Sequence, residues 1–253
     1  MNHPLVSVIT VCRNAKDDLL RTQASVMAQN CHAMEWIVVD GDSSDGTKRH
    51  LESLKQPWIR WKSEPDESIY EAMNKGIQMA KGRWLWFLNA GDVFNEETTV
   101  SQLTQVPEDT EICFGETLVE EADFKVLGTR SEVTPHNLPQ DLKKHQFRKG
   151  MVVSHQGFVV RRAIAPLYNS SKYQFSSDLD WMLNILSEPR NCLRLGVLAR
   201  LPRRGATMDN WRRSQWERFR ILCHHFGKLQ TLMIHLLITL RRLAFVFKTG
   251  HLR

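Results

Sequence analysis

The chain has 253 residues and a formal net charge of +6, long enough for one substantial core or one core with a small appendage. Its apolar share of 42% and charged share of 25% are those of an ordinary soluble globule, which excludes disordered and collagen-like chains. Five scattered cysteines, Cys12, Cys31, Cys113, Cys192 and Cys223, form no C-x-x-C pair, so neither a zinc site nor a disulfide framework is implied and reduced, cytosolic thiols fit best.

Residues 6–11 (VSVITV) read as a first strand, and Cys12-Arg13-Asn14 as its polar exit, with Asn14 the N-cap of a helix that carries Leu20, Ala24, Met27 and Ala28 on one face. Residues 35–40 (EWIVVD) form a second strand that ends in Gly41-Asp42-Ser43-Ser44-Asp45-Gly46-Thr47, a loop dense in turn residues and carboxylates. A helix runs to about Lys55, and 58–62 is a third short strand. After the loop 63–67, Ser68 with Glu71 has the form of a capping box. The helix behind it shows Ile69, Ala72, Met73, Ile77 and Ala80 on one face and stops at Gly82. Residues 84–88 (WLWFL) are an apolar run of the kind buried on both faces in a parallel sheet.

Asn89-Ala90-Gly91-Asp92 follows, with another helix expected from near Asn95. Alternating strands and helices predict a parallel sheet flanked by helices, whose strand exits share one edge. Asp40, Asp42, Asp66 and Asp92 therefore converge on the edge where open α/β sheets bind ligands. Ala90 and Gly91 would let a ligand approach the backbone, and Asp92 is a hard oxygen donor for Mg²⁺ or Mn²⁺ on a diphosphate. The plainer alternative is that Asp92 closes a turn. No G-x-G-x-x-G follows the first strand and no G-K-[ST] occurs, which argues against the usual dinucleotide and P-loop sites.

Farther on, 111–119 is an expected strand and 123–149 a polar loop region over the site. Ser154-His155-Gln156-Gly157 leads into a strand at 158–162, Tyr173 to Asp178 opens a helix with Leu179, Met182, Leu183 and Leu186 inward, and 193–201 is the last strand before a turn at 202–205. Asp180 reads as a solvated first-turn carboxylate, and the adjacent His224 and His225 lack metal-ligand spacing. From Arg200 onward twelve basic residues face only Asp209 and Glu217, so the tail calls for an anionic partner. Leu229, Leu232, Met233, Leu236, Leu237, Leu240, Leu243, Ala244 and Phe247 form a helical stripe flanked by Lys228, Arg241, Arg242, Lys248 and Arg253. Such a basic amphipathic helix is suited to a membrane interface; packing on the catalytic domain or on a second subunit is the alternative. The N-terminus does not read as a signal peptide, and no apolar run is long enough to span a bilayer.

The blocks V-S-V-I-T-V-C-R-N, W-I-V-V-D-G-D-S-S-D-G-T, S-E-P-D-E-S-I-Y-E-A-M-N-K-G-I, A-K-G-R-W-L-W-F-L-N-A-G-D, S-H-Q-G-F-V-V-R-R and F-S-S-D-L-D-W occur in this order between about Leu5 and Phe226. Together they resemble the family 2 glycosyltransferases of the GT-A fold, and the third and fourth resemble bacterial exopolysaccharide enzymes of the colanic-acid type. The resemblance implies a Rossmann-like, mostly parallel sheet flanked by helices. Residues 1–226 would be the catalytic domain, with a nucleotide-binding half at 1–100 and an acceptor half at 101–226. Residues 227–253 would be a basic amphipathic C-terminal helix.

It also implies an inverting, metal-assisted hexosyl transfer from a nucleotide-diphosphate sugar to an acceptor hydroxyl. UDP-sugars are the favoured donors, and a lipid-linked oligosaccharide at the inner face of the cell membrane the acceptor. By that resemblance Val11 and Arg13 would lie beside the nucleotide, Asp40 would accept from the base, and Asp42 would belong to the loop around the ribose. Asp66 would orient the donor or merely turn the chain after Pro65, and Asn74 and Lys75 would reach the diphosphate or form a solvated helix face. Asn89, Ala90 and Gly91 would line the donor beside the metal ligand Asp92. His155 and Gln156 would stand near the acceptor, with a structural histidine as the alternative, and Asp178 would be the general base, with a helix N-cap as the alternative. Two departures are visible: the metal motif has one carboxylate, so that Arg203, Arg204 or Lys75 would share its task, and the nucleotide loop reads Asp-Gly-Asp. A nucleotide-sugar binder with a decayed site is the competing function. The absence of Q-x-x-R-W, with Gln215 and Trp216 adjacent, points away from a processive synthase. No nucleic-acid motif accompanies the basic tail.

Overall fold

The computed structural model describes residues 4–203 and 210–237. Strand β1 (Val6–Cys12) is buried at every position, and so are β2 (Met34–Asp40) and β4 (Trp84–Phe87). This is the signature of strands covered on both faces. β1 lies between β2 and β4, parallel to both, and β3 (Ile59–Ser63) extends the parallel set beyond β2. The crossovers carry α1 (Lys16–Met27), α2 (Thr47–Ser53) and α3 (Ile69–Met79).

Beyond β4 the sheet continues without a break but changes character. A short β5 (Val93–Phe94) is followed by β6 (Ile112–Glu120), β7 (Val126–Thr129), a four-residue α4 (Arg130–Val133) and β8 (Phe158–Arg161). The chain then forms α5 (Ser177–Ile185), β9 (Cys192–Pro202) and α6 (Trp211–Phe226). The strand order is β3-β2-β1-β4-β8-β6-β9-β5, with β7 on β6. β8 is antiparallel to β4 and β6, whereas β9 is parallel to β6.

Strand periodicity sorts the core into two layers. Val6, Val8, Trp84, Trp86 and Leu88 pack with Leu19 and Val26 of α1 and Leu51 of α2. Ile9, Val11, Leu85 and Phe87 pack on the other face with Met73 of α3, Leu179 and Trp181 of α5 and Ile221 of α6. Gly76 lets α3 approach β1, because a Cβ there would stand 2.4 Å from Ile9 Cγ2.

Several sequence expectations need correction. Asn14 is not the N-cap of α1: that position is Ala15, and the Asn14 side chain instead accepts from Ser44 N at 2.9 Å, tying the β1 exit to the β2 loop. α1 buries Leu19, Thr22 and Val26 and leaves Leu20 and Met27 exposed, so the apolar stripe read from sequence is one position out of phase. The Ser68 hydroxyl caps α3 through Glu71 N, but Glu71 turns to Glu67 N and leaves the box half made. No helix begins near Asn95. The chain forms β5 first and then a 3₁₀ turn at Val100–Gln105, since Phe94 is drawn into a strand pair with Ala199 of β9. The stretch 123–149 contains β7, α4 and a 3₁₀ turn. The C-terminal stripe beyond 237 and Arg204 lie outside the described residues.

Candidate active site at the strand exits

The exits of β1, β2 and β3 build one wall. Asp40 ends β2 fully buried. Its Oδ2 accepts from Ser43 N at 3.1 Å and Ser63 Oγ at 2.7 Å, and its Oδ1 accepts from the Ser43 hydroxyl. In this arrangement it holds the β2 loop to β3, with three donors already on its two oxygens. The Cys12 thiol lies 3.7 Å away and is held protonated by burial and by that carboxylate. Asp42 is exposed, at φ +57°. Between them Gly41 sits so tightly that a Cβ would stand 3.3 Å from Arg13 and from Asp66 Oδ2.

Asp66 pairs one oxygen with Lys75, while its Oδ2 is buried without a hydrogen-bond partner. Burial raises its pKa despite the ammonium. An unfilled acceptor thus lies near Arg13, across Gly41.

Two expected diphosphate contacts are otherwise engaged. The Lys75 ammonium is surrounded by Asp66, Glu64 at 2.9 Å, Glu71 at 3.5 Å and the Pro65 carbonyl. The Asn74 amide is consumed by the backbone of Tyr168, donating at 3.0 Å and accepting at 2.7 Å. Both hold α3 to neighbouring loops.

The exit of β4 is different. Gly91 adopts φ +96°, a region that favours glycine, and its N–H reaches Asp18 O and Thr22 Oγ1 on α1. Ala90 N donates to Val11 O at 3.3 Å, joining two of the expected nucleotide neighbours. Arg21 holds the turn by donating to Gly91 O while pairing with Glu120 of β6. Asp92 is 6% exposed. Its Oδ2 accepts from Gln156 Nε2 at 2.6 Å and Asn89 N at 3.2 Å. Among the described residues none donates to its Oδ1, and the neighbouring Asn89 Oδ1 is buried and unpartnered. Burial pushes the Asp92 carboxyl up to about 7, against the bond from Gln156.

Among the described residues no three His, Cys, Asp or Glu side chains gather as a metal cage. Mg²⁺ and Mn²⁺ on nucleotides need less: one or two protein oxygens, water and the phosphates themselves. Asp92 Oδ1 and Asn89 Oδ1, hard donors with unmet polar capacity, fit such a partial shell.

The third wall comes from 155–157 and α5. His155 is buried, stacked on Phe87 and 2.6 Å from the Tyr168 hydroxyl. Burial lowers its pKa to about 4, with the Asp178 charge acting the other way. Gln156 is pinned by its carbonyl to Trp86 Nε1 and by its amide to Asp92. His155 is thus a core residue whose charged form burial disfavours, and Gln156 is bonded to Asp92.

Asp178 lies inside α5, whose N-cap is Ser176, so it is not the cap. Its Oδ1 accepts from Tyr70 OH at 3.2 Å and from Leu179 N at 2.9 Å. Among the described residues nothing donates to its Oδ2, and the residue is partly exposed. Contacts run continuously from Asp92 through Gln156 and His155 to Tyr168, and from Tyr168 across its ring contact to Tyr70 and Asp178. Asp92 and Asp178 are thus joined by one run of contacts.

The sequence profile described as "Glycosyl transferase family 2" matches residues 7–165, more than half the chain. This chain belongs to glycosyl transferase family 2. An uncharacterized glycosyltransferase of Mycobacterium tuberculosis is 43% identical over 103 residues, covering 40% of this chain and only 39% of the relative. A PGL/p-HBAD biosynthesis glycosyltransferase of Mycobacterium bovis BCG is 25% identical over 192 residues, 73% of this chain and 70% of that protein. Crystal structures of S. aureus TarS 1-349 share the fold at 13% identity, with a TM-score of 0.67 over 97% of this chain and 73% of that one. One such structure holds UDP-GlcNAc. The α/β fold with its flanked sheet is thereby that of the family.

Sequence reading missed several residues that shape this family 2 site. Tyr70 was passed over because the helical face was anchored on Ile69, which is exposed. Glu217 of α6 accepts the N–H groups of Gln174, Phe175 and Ser176 at 2.9, 2.8 and 3.0 Å and so holds the segment that presents Asp178. Its signal was available: it is one of only two acids in a basic tail. Asp180, expected in solvent, is 4% exposed and 2.9 Å from His225 Nε2. That bond fastens α5 to α6 and gives His225 a task.

Proposed function

We propose that this glycosyltransferase moves one sugar from a nucleotide-diphosphate donor, a UDP-sugar by preference, to a hydroxyl of a lipid-linked oligosaccharide during cell-surface polysaccharide synthesis, with inversion at the anomeric carbon. The observation that carries the reading is the linkage, along one chain of contacts, of the partly exposed Asp178 with the under-supplied oxygens of Asp92 and Asn89.

In this reading Arg13, Asp42, Asp66 and the backbone at Val11, Ala90 and Gly91 bound the donor. Asp178 Oδ2 takes the acceptor proton as the hydroxyl oxygen bonds the anomeric carbon, and the bond from that carbon to the diphosphate oxygen breaks with its electron pair on the leaving group. Tyr70, donating to Oδ1, fixes the carboxylate so that Oδ2 is the basic atom. Mg²⁺ or Mn²⁺ held by Asp92 and Asn89 would supply charge stabilisation for the departing diphosphate. The C-terminal segment 227–253 would keep the enzyme at the inner membrane face, beside its acceptor; among the described residues no helix is long and apolar enough to cross a membrane.

Asp178→Asn tests the assignment, because an Asn Oδ1 can still accept from Tyr70 and Leu179 N but cannot take a proton. Nucleoside diphosphate release from UDP-sugars with acceptor and Mn²⁺ should fall by about 10² to 10⁴, with the circular dichroism spectrum and donor-induced thermal shift retained. Near-normal turnover in Asp178→Asn would remove the base. Donor-induced stabilisation of the wild-type chain without any turnover would leave a nucleotide-sugar binder, the reading favoured by the single carboxylate of the Asn89–Asp92 turn.

A further inference from the structure

α6 has two faces. One buries Ser214, Ile221 and Leu222 and sends Glu217 to the segment before Asp178. The other carries Trp216, Phe219, Arg220 and Cys223, at positions i, i+3, i+4 and i+7 of one stripe. This outer stripe, Lys172 and Tyr173 from the loop before α5, and Lys228 and Leu232 from the helical stretch at 228–237 enclose an open hollow of about 720 Å³. Trp216 is 62% exposed. Leu229, Leu232, Met233, Leu236 and Leu237 are each more than half exposed beside it. Among the described residues no carboxylate pairs with Lys172, Arg220 or Lys228, and the one acid of α6 is spent on the backbone at 174–176.

A soluble surface does not ordinarily leave a Trp, five long apolar side chains and three cations without a carboxylate partner among the described residues together. The combination suits a boundary that is apolar on one side and negatively charged at its rim. Indole rings settle at head-group depth, aliphatic side chains enter the acyl region, and Lys and Arg pair with lipid phosphates. The sequence after 237 continues in the same two residue classes, with Leu240, Leu243 and Phe247 among Arg241, Arg242 and Lys248.

We propose that the hollow between α6, the loop at 172–173 and the helix at 228–237 is a binding site for the phosphate head group of an anionic bilayer lipid, with Lys172, Arg220 and Lys228 as its cationic rim and Trp216 and Leu232 as its membrane-entering floor. The proposal rests on the membrane placement suggested above, and it adds a head-group site distinct from the transfer site. Because the opposite face of α6 holds the Asp178 segment, the docked membrane and the acceptor-activating carboxylate are registered by one helix.

Co-sedimentation of the full-length protein with vesicles tests this without any sugar substrate. Binding to phosphatidylcholine vesicles containing phosphatidylglycerol should exceed binding to pure phosphatidylcholine by roughly tenfold or more at moderate salt. The Arg220→Glu/Lys228→Glu double variant should lose about that factor. Trp216→Ala should weaken binding to both vesicle types. The melting temperature of the double variant and its nucleoside diphosphate release with a soluble acceptor should stay at wild-type levels, which separates failure of this site from failure of the transferase reading. Equal binding to both vesicle types, or an unchanged double variant, would overturn the proposal. So would a thermal shift by inorganic phosphate alone that the double variant abolishes, which indicates a free-phosphate site, or a wild-type dimer that the double variant dissociates, which indicates a second copy as the occupant.

Discussion

Asp40 and Asp92 occupy the same station in the fold. Asp40 ends one buried strand of the parallel set and Asp92 lies in the turn after another, yet their surroundings are opposite. Asp40 is met by the Ser43 amide and the hydroxyls of Ser43 and Ser63. Asp92 is as dry but receives two donors on one oxygen only, and burial lifts its pKa to about 7. A carboxylate supplied with hydrogen bonds by its own fold shapes a loop. One left short of them retains capacity for a cation or a ligand. Position at a strand exit therefore nominates a residue, and the count of donors around it decides its work.

The largest effect that tests this contrast is expected for Asp92→Asn. Transfer should fall by two orders of magnitude or more if the oxygen serves the cation on the leaving diphosphate. Stability should respond in the opposite sense. The folded pKa of about 7 lies above the ordinary 3.8, so the native state holds the proton more tightly than the unfolded chain. The stability cost is absent below pH 3.8, grows through the window and is complete above 7. A shift of about three units bounds that cost at roughly 4 kcal/mol. In metal-free buffer the melting temperature of Asp92→Asn relative to wild type should therefore rise between pH 4 and pH 8. Mn²⁺ with UDP should close the gap by stabilising wild type alone. A gap independent of pH would break the contrast.

A smaller loss is expected at Glu217. Glu217→Ala leaves three N–H groups unpaired ahead of Asp178, each such loss being worth about 1–3 kcal/mol where buried. The melting temperature should drop by several degrees and kcat by about tenfold, with the donor KM little changed. Glu217→Gln should recover part of both. Unaltered kcat well below the melting temperature would make Glu217 purely structural. The smallest effect belongs to Ser63→Ala, which removes one of the Asp40 donors. A stability loss of about 1 kcal/mol is expected, with the donor KM within about twofold of wild type. A larger change in KM would return Asp40 to the donor site and sharpen the comparison in the other direction.

Much of the first half of the fold was legible because its signals are local. The apolar run Trp84–Phe87 is a buried strand and Ser68 caps α3 as expected, although that helix ends at Met79 and not at Gly82. The phase of α1 was harder to read. Leu20 and Met27 are apolar but face outward, while the polar Thr22 is buried because its hydroxyl is used by the turn at Gly91 and Asp92. The later half was less legible. β5 has two residues and exists through its partner β9. Asp180 and His225, forty-five positions apart, gave no hint of one another until α5 and α6 packed together.

By itself the sequence determined that buried parallel strands alternate with helices, that acids follow them, and that a basic, apolar segment closes the chain. Those properties depend on side-chain periodicity and turn chemistry within a few residues. Only the tertiary structure decided which acids stay unsatisfied, that Asn74 and Lys75 are engaged elsewhere, and that Glu217 steadies the approach to Asp178. Hydrogen-bond supply and desolvation are set by atoms distant in the chain, and no local pattern encodes them.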